Sequence, residues 1–65
     1  MTEAEKIIRD TYERQGVTLA RFFPFLGKWA ANSQYGYVLD WAFTQETAEQ
    51  IAVAYYAPRM HLITQ

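Results

Sequence analysis

The chain contains no cysteine, so disulfides, thiolate nucleophiles and zinc sites built on cysteine are excluded. Histidine occurs once, at His61, with no acidic residue within four positions, which leaves no metal-ligand spacing. Serine also occurs once. Ser33 lies in an Asn-Ser-Gln segment that lacks the flanking glycines of a nucleophile elbow. The three glycines, at 16, 27 and 36, are too scattered for a phosphate-cradling loop. A strong charge of either sign is missing as well: six basic and seven acidic side chains leave a net −1, against the basic excess that nucleic-acid binding needs. The most apolar stretch, residues 17–31, includes Arg21, Pro24 and Lys28 and is shorter than the ~20 residues of a membrane span. The N-terminal MTEAEKIIRD is polar and has no small-residue cleavage site behind an apolar run, so the expected location is cytoplasmic. Neither a metal nor a cofactor is expected, and the chain does not read as an enzyme.

What is present is aromatic. In 65 residues there are four Phe, two Trp and five Tyr, 17% of the chain, and 51% of all residues are apolar. The length fits a single small domain, 1–65. A domain of this size buries only ~60% of the surface its unfolded chain exposes. Hiding eleven rings inside it is hard, and some are expected at an interface.

Residues 2–15 read as a helix. Thr2 and Glu5 match a capping box, Gly16 is a left-handed terminator, and Ala4, Ile7, Ile8, Thr11 and Tyr12 form one apolar stripe. Glu5–Arg9 and Asp10–Arg14 are acid-first pairs on the solvated side. Residues 44–57 read as a second helix, capped by Thr44, with Ala48, Ile51, Ala52 and Tyr55 inward and Pro58 closing it. Between them, Tyr35, Tyr37, Leu39, Trp41 and Phe43 alternate with smaller or polar residues, the period of a strand. Residues 59–64 are expected to form a further short strand. Residues 17–31 fit both periods, and Pro24 and Gly27 damage either one. An irregular, edge-like strand is the preferred reading there, with Asn32-Ser33-Gln34 as the turn that follows. The expected fold is therefore α+β, ordered α-β-β-α-β, with helices on one face of a short sheet. An all-α helical bundle is the alternative.

Function is read from the middle of the chain. From Gln15 to Gln45 there are only three charged residues, Arg21, Lys28 and Asp40, but eight of the eleven aromatics. Large rings beside an isolated cation are the residue types of protein interface hot spots. The expected activity is non-catalytic protein–protein interaction through Arg21, Phe22, Phe25, Trp29, Tyr37 and Trp41. Such a module fits a small regulator, an accessory subunit or a phage or mobile-element inhibitor of a host protein, and its partner is another protein or a second copy in a homodimer. A nucleic-acid-binding domain, either a single-strand platform or a helix-turn-helix-like bundle, is the alternative; net charge disfavours it.

Overall fold

In the computed structural model, which describes residues 1–64, the first element is α1 (Glu3–Gln15). Thr2 caps it as expected, its hydroxyl accepting from the Glu5 amide at 3.1 Å. The Glu5 carboxylate does not return to the cap. It pairs instead with Arg9 at 3.0 Å, and Arg9 reaches on to Glu49 at 3.2 Å, joining this helix to the second one. Asp10 and Arg14 form no ion pair among the described residues; Arg14 donates to the Thr11 hydroxyl. Gly16 ends the helix with φ +71°, and its N–H bonds back to the Glu13 and Tyr12 carbonyls.

Three antiparallel strands follow in sequence order: β1 (Ala20–Phe23), β2 (Lys28–Asn32) and β3 (Val38–Ala42). Residues 17–31 are thus not one irregular strand but most of a hairpin. Pro24 and Gly27, which suit neither a helix interior nor a central strand, bound the loop between two strands. The Gly27 N–H donates to the Phe23 carbonyl at 3.0 Å, and its φ of +63° is a backbone state that a side chain at this position would strain. Across the next turn, Tyr35 and Tyr37 lie outside the strand, and a bulge near Leu39 interrupts the register between Ala31–Asp40 and Asn32–Val38. The alternation expected over 35–43 is broken there.

Helix α2 (Gln45–Tyr56) starts at Thr44, whose hydroxyl accepts from the Thr47 amide at 3.2 Å, and crosses all three strands on one face. The contact layer is small: Ala20, Ala31 and Ala42 of the sheet meet Ala48 of the helix, flanked by Trp29 and Ile51. A second cluster of Ile8, Tyr12, Leu19, Ala52, Tyr56 and Ile63 joins α1 to α2 and the C-terminal segment. Tyr56, not Tyr55, is the deeply buried ring of α2.

The C-terminal segment is a correction. Residues 59–64 are not a strand; a 3-10 turn (Ala57–Arg59) leads into a short helix, α3 (Met60–Ile63), packed against α1. Pro58 closes α2 at Tyr56 as expected and sits in the first turn of the 3-10 segment, where its missing N–H leaves no bond unmade, so the chain continues as a helical turn. Ile63 is buried and Met60 half-buried, a spacing of three that suits a helical face and not a strand. The fold is α+β with the order α-β-β-β-α, and the all-α alternative is overturned by the sheet. No helix among the described residues is long and apolar enough to cross a membrane.

The segment Asn32-Ser33-Gln34, which leads from the end of β2 into the turn, is buried although all three side chains are polar. Every partner is supplied. The Tyr12 phenol donates to the Asn32 carbonyl, and the Tyr56 oxygen accepts from the Gln34 amide at 3.0 Å. The Gln34 side chain donates to the Leu62 carbonyl and accepts from Gln15, while the Ser33 hydroxyl oxygen accepts from the Tyr35 and Tyr37 amides.

Replacing Tyr56 by Phe strands the buried Gln34 N–H, and stability measured by urea unfolding should fall by about 1–3 kcal/mol. Tyr12 provides a pH signature. Burial, reinforced by neighbouring Tyr56, Tyr37 and Tyr55, raises its phenol pKa above the ordinary value. The folded state therefore favours the neutral phenol. That contribution is complete below pH about 10, the unfolded value, and is lost as the pH climbs beyond it. Alkaline unfolding should be steeper for the parent protein than for Tyr12→Phe, which has no proton to lose; equal slopes would remove Tyr12 from the transition.

Candidate aromatic interface

Residues opposite one another in an antiparallel pair share a face of the sheet. The pairs Ala20–Ala31, Phe22–Trp29 and Trp29–Ala42 thus define the face under α2, and Arg21–Ala30, Phe23–Lys28 and Ala30–Trp41 define the other. Among the described residues no helix packs on that second face.

Its chemistry is aromatic with two cations. Phe23 on β1 and Trp41 on β3 meet edge to face, their centroids 5.2 Å apart. Strands flanking a common neighbour lie roughly 10 Å apart, so these rings must lean toward each other over β2. They roof Ala30, which is fully buried although it points away from the helices. Arg21 lies 4.9 Å from the Phe23 ring centroid, and Lys28 lies 5.7 Å from that of Phe43 just past the end of β3. Each cation is held by an aromatic face rather than by a carboxylate. Phe43 is 80% exposed and Trp41 39%.

The six residues expected to form one surface are distributed over four places. Arg21 and Trp41 lie on the open face. Phe22 and Trp29 meet at a tilt on the helix side, their centroids 5.2 Å apart, Trp29 packing against the alanine layer and Phe22 half exposed beside it. Phe25 projects from the hairpin tip, fully exposed, with Leu26 next to it. Tyr37 is exposed at the opposite end of the sheet, in the turn before β3. Phe23, Lys28 and Phe43 belong to the open face and were not among those six. The parity signal for them was present, since Phe23 is two residues from Arg21 and Phe43 two from Trp41. It could not be applied before the hairpin was known.

Asp40 also has a definite place. Its carboxylate accepts from the backbone N–H of Trp41 at 2.8 Å, on the exposed edge of β3. His61 is exposed on α3, and Ser33 is buried with its oxygen holding two backbone amides. Among the described residues no group of three His, Cys, Asp or Glu side chains is gathered where it could hold a metal ion. No protein-family model matches the chain, and no curated protein and no solved structure does either.

The placement separates core rings from surface rings by their energetic weight. Phe25→Ala and Phe43→Ala should each leave the unfolding free energy within about 0.5 kcal/mol of the parent. Trp29→Ala should lower it by about 2 kcal/mol or more, because it opens space against the alanine layer. A large loss for Phe43→Ala would place that ring inside the core.

Proposed function

We propose that the chain is a non-catalytic protein-interaction module of the cytoplasm, a small regulator, accessory subunit or inhibitor, and that it docks through the open face of its sheet. The observation that carries this reading is the pairing of uncovered rings with cations. Phe23, Trp41 and Phe43 present apolar area that the fold leaves unroofed by any helix, while Arg21 and Lys28 lie on those rings with no carboxylate partner among the described residues. Aromatic anchors with an unpaired arginine are the side chains that dominate binding energy at protein interfaces. The arginine stays available to a partner's carboxylate or carbonyl.

The same two cations are what favour a second reading, a platform for single-stranded nucleic acid. Its helix-turn-helix form needed the all-α bundle and goes with it. The platform form has little charge to work with, since Arg21 and Lys28 neutralise at most two phosphates, and affinity without base stacking would be low.

Affinity capture with the immobilised protein tests the ranking. A protein partner should be retained by the parent, bound at least about tenfold more weakly by Phe43→Asp, and bound equally by Lys6→Glu, an exposed change on α1. A labelled single-stranded oligonucleotide should not be retained at physiological salt. Salt-sensitive oligonucleotide binding that disappears in Arg21→Ala, with no protein captured, would reverse the order of the two readings.

A further inference from the structure

The three-stranded sheet has two edges, and the chain treats them differently. On β3 the backbone of Trp41 points outward, because Asp40 and Ala42 face β2. The outward N–H is occupied by the neighbouring Asp40 carboxylate, and the bulge at Leu39 bends the strand beside it. A local carboxylate and a bulge are devices that discourage another strand from pairing.

On β1 the opposite holds. The Asn32 N–H donates to the Leu19 carbonyl at 2.8 Å, so the odd-numbered residues Leu19, Arg21 and Phe23 bond inward to β2. The N–H and C=O groups of Ala20 and Phe22 therefore point outward, and among the described residues no hydrogen bond claims them. Two further features lie along this edge. Beyond one end is the fully exposed Phe25 at the hairpin tip. Beyond the other is an open cleft of about 570 Å³, in which Val17, Leu19 and Ala20 are rimmed by Arg9, Glu13 and Glu49.

We infer that β1 pairs with β1 of a second copy, antiparallel about Phe22, to make a continuous six-stranded sheet in a two-fold dimer. Symmetry is what selects a second copy over another partner. Phe25 lies three residues after Phe22 and Leu19 three residues before it. Pairing Phe22 with the second copy's Phe22 thus brings the exposed ring of each chain to the cleft of the other, twice, with one operation. The same register sets Arg21 opposite the second copy's Phe23, repeating the contact Arg21 already makes with its own Phe23. Shifting the register to centre on Arg21 would oppose two like charges, which is unfavourable. Pro24, with no N–H to donate, ends the ladder after Phe22, so the short strand pairing aligns the copies and the Phe25 ring in the cleft supplies the apolar area. The open aromatic faces of both copies then lie on one side of a single sheet.

The inference deepens the interaction-module reading by naming one partner, and rests on it only for that class, because it uses the edge and not the open face. Sedimentation velocity of the full chain from micromolar to near-millimolar concentration should show a dimer that persists at high salt. Phe25→Ala, in an exposed loop, should weaken it by about tenfold or more, and Val38→Lys on the β3 edge should leave it unchanged. Because the chain has no cysteine, Phe22→Cys gives a direct geometric readout: paired residues on such a ladder lie ~5.5 Å apart between Cα atoms, within disulfide range. Oxidation should convert Phe22→Cys to a covalent dimer much faster than Val38→Cys. A monomer throughout the concentration range, or equal cross-linking at the two positions, overturns the edge pairing. A monomer that still captures a protein through Phe43 overturns the edge pairing alone, whereas an edge-paired dimer that captures none overturns only the docking function of the open face.

Discussion

The phenols of Tyr12 and Tyr56 meet the chain at one place, the buried segment Asn32-Ser33-Gln34, the first donating to a carbonyl and the second accepting from an amide. The two rings contact each other edge to face, with centroids 6.0 Å apart. A segment with polar backbone cannot be buried in a small domain unless its donors and acceptors are met, since each unmet group costs more than a typical hydrogen bond contributes. Here the partners come from α1, from α2 and from the segment carrying Leu62. Each helix therefore completes a bond that the sheet requires. Neither layer is finished alone, which ties the order of both helices to one point in the β2–β3 connection.

The second constraint is the alanine layer. Ala20, Ala31 and Ala42 face Ala48, so α2 lies close on the sheet and little room remains between them for large side chains. The large rings on the helix side thereby lie at its margin. Trp29 and Phe22 meet past the alanines, Phe23 and Trp41 roof the far side of β2, and Phe25 and Phe43 are left in solvent. The exposed aromatics follow from the strand register, which turns Phe23, Trp41 and Phe43 to the face opposite α2, and from the hairpin tip that carries Phe25.

Both long helices were legible in the residues because their caps and apolar periods agree: Thr2 with Gly16, and Thr44 with Ala48 and Ala52. The hairpin was legible only as a conflict. Pro24 and Gly27 contradicted every single-element reading of 17–31, and that contradiction was itself the mark of a turn between two strands. The ending differs from the expected strand because Pro58, which closes α2 at Tyr56, also fits the first turn of the helical segment that follows. Within the candidate site, residue types were readable and grouping was not. Arg21 and Trp41 share a face with Phe23, Lys28 and Phe43 only through a register that depends on the hairpin. The bulge at Leu39, set by pairing with a neighbouring strand, leaves no mark in local composition.

The two tryptophans fall on opposite faces of the same sheet, Trp29 against α2 and Trp41 against Phe23. The chain thus carries two intrinsic fluorophores in different dielectric surroundings, and no third indole competes with them. Emission from Trp29 follows the integrity of the helix–sheet layer, while emission and quenching of Trp41 follow whatever approaches the open face. With one indole replaced at a time, folding and docking become separable optical signals in the unlabelled protein.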